Sequence, residues 1–142
     1  MKIRLLMLGK TRRPEMRAVL DDYVKRIGHQ STIEVTEVRD AAAALKKMDA
    51  DRAAVAVLLD AAGKVFSSEA FAKWLAEQRD RGTRELIFLC GDAEGFPDTL
   101  RQRAHQKISL SAMTFSHELA RVMLAEQLYR AFAILSGSPY PK

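Results

Sequence analysis

Lys2 to Leu8 is an apolar run interrupted only by Arg4 and closed by Gly9, the pattern of a buried strand. The polar stretch Lys10 to Arg13 follows, and Pro14 stands where a helix can begin, because proline's missing N–H is no loss in a first turn. Met16, Val19, Leu20, Tyr23, Val24 and Ile27 then recur at helical spacing, with Gly28 as the stop. Ile33, Val35 and Val38 predict a second strand, and Asp40 is placed to cap an alanine-rich helix from Ala41 to about Met48. A third strand, Ala53 to Leu59, leads into a turn at Asp60 to Gly63. Ser67 or Ser68 caps the next helix, which buries Phe71, Trp74 and Leu75 and ends at Gly82.

Strand four is Glu85 to Cys90; past the loop Gly91 to Gly95, Pro97 opens a short helix running towards His105. Lys107 to Leu110 reads as the fifth strand. Ser116 caps a long last helix with Leu119, Val122, Met123, Leu128, Phe132 and Leu135 on its apolar face, stopped by Gly137. Strands alternating with helices predict an α/β sandwich with a largely parallel sheet. No repeat, low-complexity linker or break divides it, so residues 1–142 are expected to form one domain. In such sheets ligands bind at the carboxyl ends of strands, which directs attention to Leu59-Asp60, Gly91–Gly95 and Leu110–Phe115.

Composition narrows the function classes. No apolar run approaches the roughly 20 residues needed to cross a bilayer, and a small-residue cleavage site does not follow the first strand, so a cytoplasmic protein is expected. With 23 Lys+Arg against 18 Asp+Glu, the net charge of +5 admits an anionic partner such as RNA without requiring one. The charge gathers at Lys10, Arg12, Arg13 and Arg17, and again at Arg79, Arg81 and Arg84, as nucleic-acid contacts or as solvated loop edges. Cys90, the only cysteine, excludes an internal disulfide and reads as a buried, inert thiol. His29, His105 and His117 lack ligand spacing and acidic or cysteine companions, so no metal is expected.

Gly91 to Gly95 has neither the glycine spacing of a dinucleotide fingerprint nor the Gly-Lys-Ser/Thr ending of a phosphate loop, which disfavours NAD and ATP. Its glycines serve either a plain strand-to-helix turn or a close backbone approach to an adenosine-like ligand. Leu110-Ser111-Ala112-Met113-Thr114-Phe115 mixes apolar side chains with hydroxyls and lacks glycine, unusual for a loop facing only water. Core packing explains it, and so does a wall for adenine. At the start of the last helix, Glu118 suits the positive end of the dipole. His117 gains nothing there when protonated, which favours a role in binding or proton handling. Arg121, one turn on, is placed to pair with Glu118 or to neutralise charge on a substrate.

The run Ser109-Leu-Ser-Ala-Met-Thr-Phe-Ser-His117, then Ala120-Arg-Val-Met-Leu-Ala-Glu-Gln-Leu-Tyr-Arg-Ala131, and the ending Ser138-Pro-Tyr140 closely resemble the RlmH family of SPOUT-class methyltransferases. Met1-Lys-Ile-Arg-Leu5, Leu59-Asp-Ala-Ala-Gly63 and Gly91-Asp-Ala-Glu-Gly95 resemble the same family in the same order, over nearly the whole chain. The resemblance implies a SPOUT-type α/β fold with a C-terminal trefoil knot and a homodimer. It also implies S-adenosylmethionine-dependent N3 methylation of a pseudouridine in 23S rRNA of assembled ribosomes. By residue, it implies cofactor contacts at Leu59, Gly91, Leu110, Ser111, Ala112, Met113, Thr114 and Phe115, and substrate-side roles for His117, Arg121 and Tyr140.

This chain departs from the family pattern at three places. Gly91-Asp92-Ala93-Glu94-Gly95 replaces the usual Gly-Gly-Pro-Glu-Gly, and His117-Glu118 replaces His-Pro. The tail Ser138-Pro139-Tyr140-Pro141-Lys142 replaces His-Pro-Tyr-His-Arg, so no tail histidine can act, and Lys142 offers a point charge without arginine's fork. The expected division of labour gives proton handling to His117, orientation of the base to Tyr140, and stabilisation of ring-oxygen charge to Arg121 or Lys142. The tail of one subunit is expected to complete its partner's pocket. The rival readings are the same fold acting on another RNA such as tRNA, and a non-enzymatic ribosome-binding protein of that fold.

Overall fold

A computed structural model describes residues 1–140. The elements follow as β1 (Lys2–Leu8), α1 (Pro14–Ile27), β2 (Thr32–Val38), α2 (Ala41–Asp49), β3 (Val55–Val65), α3 (Ser68–Asp80), β4 (Glu85–Cys90), α4 (Asp98–Arg103), β5 (Gln106–Ser109) and α5 (His117–Ser136). The strands form one sheet in the order β2-β1-β4-β3-β5, and every neighbouring pair is parallel.

Alternation along the strands divides the core into two layers, because successive side chains of a strand point to opposite faces. Ile3, Leu5 and Met7 of β1 and Leu86, Phe88 and Cys90 of β4 meet Leu20 and Ile27 of α1, Phe71, Trp74 and Leu75 of α3, and Leu124 and Leu128 of α5. Leu6, Leu8, Ile87 and Leu89 face the other way, onto Ala44 and Met48 of α2 and Leu100 of α4. Both faces of the central strands are therefore covered, which is why β1 and β4 read as near-continuous apolar runs.

The caps follow the sequence. Asp40 accepts the Ala43 N–H, Ser67 the Ala70 N–H, and Ser116 the Leu119 N–H. Two boundaries differ from expectation. The turn at Asp60–Gly63 interrupts β3 without ending it: Leu59 and Lys64 both register with Ile108 of β5, and the residues between them bulge out. Gly63 makes this possible, since a Cβ there would lie 2.7 Å from the main chain of Lys107 and Ile108. The fifth strand ends at Ser109, paired with Val65, and this frees Leu110 from the sheet.

Candidate functional site

Because all five strands run the same way, the bulge in β3 and the segments leaving β4 and β5 come together at one edge of the sheet. There they enclose a cavity of about 440 Å³, within the range of small-ligand pockets. Leu59 and Asp60 come from β3, Gly91 and Gly95 from the loop after β4, and Leu110, Ser111, Met113, Thr114 and Phe115 from the loop after β5. His117 and Ala120 supply a wall from the first turns of α5.

Each loop is fixed by its own polar groups. Ser109 Oγ donates to Ser111 O at 2.8 Å, and Ser111 Oγ accepts the Met113 N–H at 3.0 Å, which bends the chain directly after β5. Asp92 Oδ1 accepts the Glu94 N–H at 2.9 Å; Gly95 closes the same turn at φ +79°, where a side chain would be strained. A Cβ on Gly91 would sit 3.4 Å from the Gly95 main chain, an ordinary contact, so it is Gly95 whose conformation the turn requires.

Leu59, Gly91, Leu110, Ser111, Met113, Thr114, Phe115 and His117 thus meet at one cavity, while Ala112 does not line it. The loop after β5 does not face only water, since Leu110, Ser111 and Phe115 are half-buried, but its middle does, with Met113 76% exposed. Phe96 and Arg101 were not singled out by the sequence. Arg101 donates to Asp60 Oδ2 through Nη1 and to Phe96 O through Nε, tying the β3 bulge to the loop after β4. The signal for Arg101 is positional: it lies on the helix that follows the Gly91–Gly95 loop.

Arg121 does not face the cavity. It is fully buried, donating to Leu8 O at 2.6 Å and Gly9 O at 3.2 Å through separate nitrogens, and to Thr11 Oγ1 at 2.9 Å. Burial draws its pKa downward, against the nearby Cys90, Glu37 and Glu118. Its position one turn into α5 points it under the β1–α1 loop, and a side chain so enclosed cannot meet ring oxygens of a substrate. Nor does Arg121 pair with Glu118. That carboxylate accepts the N–H groups of Arg12 and Arg13, both at 3.0 Å, and these bonds lower its pKa. Glu118 therefore holds a distant loop in addition to suiting its helix end.

Tyr140 is also apart from the cavity. Its hydroxyl donates to Glu126 Oε2 at 2.7 Å and its ring packs edge-on against Tyr129, so it lies along the middle of α5. Glu126 is about 14 Å along the helix from His117 at 1.5 Å per residue. Burial, with Tyr23 and Glu126 adding to it, pushes the phenol pKa up. Lys142 lies outside the described residues. Cys90 borders the cavity floor yet is 2% exposed, and burial pushes its thiol up to about 12.

Among the described residues no group of three or more His, Cys, Asp or Glu side chains is placed to hold a metal ion, and no helix is long and apolar enough to cross a membrane. Comparison with known proteins adds to this geometry. Residues 1–141 match the family model described as "Predicted SPOUT methyltransferase". A ribosomal RNA large subunit methyltransferase H from Geotalea daltonii is 42% identical, covering 99% of this chain and 99% of the relative. One from Koribacter versatilis is 39% identical over 99% of this chain and 97% of the relative.

Among solved structures, a probable methylase family protein from Haemophilus influenzae Rd KW20 superposes with a TM-score of 0.59 at 10% identity, over 99% of this chain and 70% of that one. The SpoU methyltransferase AviRb from Streptomyces viridochromogenes, in complex with AdoMet, gives 0.53 at 11% identity, over 97% of this chain and 61% of that one. At such identities the likeness is one of fold.

Proposed function

This chain belongs to the SPOUT methyltransferase family, among the proteins named ribosomal RNA large subunit methyltransferase H, and we propose that it methylates N3 of a pseudouridine in the 23S rRNA of assembled ribosomes. The observation that carries the reading is the convergence of Leu59, Gly91, the Leu110–Phe115 loop and His117 on one cavity at the carboxyl edge of the sheet. The reading takes residues 1–142 as one cytoplasmic catalytic domain, with the C-terminal knot and homodimer that the family resemblance implies.

The residues suit S-adenosylmethionine. Leu59, Leu110, Met113 and Phe115 offer apolar surface to an adenine, and the tight Gly91–Gly95 turn leaves main-chain groups accessible. Asp92 adds a carboxylate to the lining, which suits a cationic ligand, while the Asp60 carboxylate is already paired with Arg101. When bound, the cofactor supplies an electrophilic methyl group on a sulfonium.

The chain's own work is positioning and proton removal. Aligning a nucleophile with the methyl group accounts for much of such catalysis, and the three fixed loops do this by holding the cavity walls. A uracil-type N3 is a poor nucleophile until it loses its proton, so a base must stand at the mouth. We assign that role to His117, which lines the cavity and whose side chain is one-third exposed. Tyr140, outside this chain's cavity, fits the reading as a residue that a partner subunit's site would receive.

The test incubates the protein with radiolabelled S-adenosylmethionine and ribosomes from a strain lacking this activity, then maps the labelled nucleoside. Label on N3 of a large-subunit pseudouridine supports the reading. Label only on tRNA, or cofactor binding without transfer, refutes it. His117→Ala with full turnover would remove that residue from the proton step.

A further inference from the structure

The parallel sheet sends the two basic clusters to opposite ends of the molecule. Arg79, Arg81 and Arg84 precede β4, and Arg84 O accepts the N–H of Lys2 at the start of β1, so this cluster sits at the amino edge. Lys10, Arg12 and Arg13 follow β1 and lie at the carboxyl edge, with the cavity.

The loop that carries this second set is pinned from below. Arg121 holds the carbonyls of Leu8 and Gly9 and the hydroxyl of Thr11, while Glu37 Oε2 accepts the Thr11 N–H at 2.8 Å. Glu118 takes the N–H groups of Arg12 and Arg13. One oxygen, Glu118 Oε2, lies 3.0 Å from Arg12 N and 3.9 Å from His117 Nε2, so the loop main chain and the cavity wall share a carboxylate. Two buried charged side chains of α5 thus fix a loop whose own cations point outward.

Those cations are not equally engaged. Arg13 pairs with Glu15 and Arg17 with Glu37, whereas Lys10 and Arg12 are exposed and have no acidic partner among the described residues. Held in place, they can meet anionic groups without the entropy cost of ordering a loop on binding. Lysine and arginine in such a position recognise phosphate.

We propose that the Lys10–Arg13 loop is a preformed docking surface for the phosphate backbone of the RNA substrate, with Lys10 and Arg12 making the contacts and Glu118 and Arg121 positioning them beside the mouth of the cavity. This rests on the RNA-methylating reading above. The docking surface orients the nucleotide strand and takes no part in the chemistry.

The experiment measures methyl transfer from labelled S-adenosylmethionine to undermethylated ribosomes across a salt series, for wild type, Lys10→Ala/Arg12→Ala and, as a control, Arg79→Ala/Arg81→Ala. Cofactor affinity and melting temperature are followed alongside. The first double variant should raise the half-saturating ribosome concentration about tenfold and flatten its salt dependence by about one to two units of log–log slope. Its kcat and cofactor affinity should stay at wild-type values, and the control pair should match wild type throughout. Wild-type ribosome saturation in the first variant overturns the proposal, as does equal weakening in the control. A wild-type protein that binds cofactor but labels no ribosomal RNA overturns the underlying reading, and the docking proposal with it, before any variant is compared.

Discussion

Replacing Arg121 with Leu separates a buried clamp from a residue that stabilises charge on a substrate. The change orphans three acceptors, Leu8 O, Gly9 O and Thr11 Oγ1. Leu8 and Thr11 are buried and lose all solvation, each at a cost of about 1–3 kcal/mol, whereas half-exposed Gly9 can turn to water. Against this, a buried Leu returns roughly 2 kcal/mol of apolar transfer, and the desolvation of a guanidinium is no longer paid. At mid-range the two buried acceptors cost about 4 kcal/mol and the Leu returns about 2, so the net expectation is a destabilisation of at most about 2 kcal/mol, or a fall in melting temperature of roughly 5 °C for a chain of this size. Urea melts at fixed protein concentration measure it, and calorimetry below the transition reports cofactor affinity. Arg121→Lys keeps a charge but not the fork, and should lose about half as much. Stability within about 0.5 kcal/mol of wild type, accompanied by a hundredfold loss of turnover, would refute the clamp and restore the catalytic role.

Other outcomes follow from features of the same edge. Glu118 has a folded-state pKa below its unfolded value, so its contribution is complete above the ordinary carboxylate range and fades as pH falls through the lowered pKa. The stability gap between wild type and Glu118→Gln should therefore be flat from neutral pH to about 5 and shrink below about 4, as followed by denaturant melts. Cys90, with its thiol pushed up to about 12, should resist a thiol-specific reagent at pH 8 in the native protein and react on unfolding. Gly63→Ala puts a methyl group 2.7 Å from the β5 main chain and should cost about 1–3 kcal/mol, with the cavity perturbed through the displaced β3 bulge. Unchanged stability in that variant would mean that β3 and β5 part easily.

Much of the fold was legible because its signals are local. Apolar runs marked β1 and β4, and Asp40, Ser67 and Ser116 announced their helices by side-chain chemistry that acts over three residues. The β3 bulge was harder: Asp60–Gly63 is a turn by composition, and only the pairing of Leu59 and Lys64 with one residue, Ile108, shows that the strand resumes. The cavity-lining loops were found by the carboxyl-end rule together with the family resemblance. Arg121 and Tyr140 lie apart from this chain's own cavity for a shared reason. Sequence position assigns a side chain to an element, but the partner it meets lies more than a hundred residues away for Arg121, and for Tyr140 on the flank of a helix already passed. Arg101 escaped notice because its partners, Asp60 and Phe96, come together only once the sheet is assembled.

Ser116, the N-cap of α5, and His117 and Glu118 of its first turn meet three different partners: the Leu119 N–H, the cavity, and the β1–α1 loop. Neighbouring residues on a helix are about 100° apart, so their assignments are fixed by count as much as by identity. A substitution here alters one assignment, but a single inserted or deleted residue rotates all three. Length variation is better absorbed at the amino edge, where the Arg81–Thr83 turn touches neither the cavity nor its supports. A reporter domain spliced into that turn would travel with the enzyme while leaving its reading frame of contacts intact.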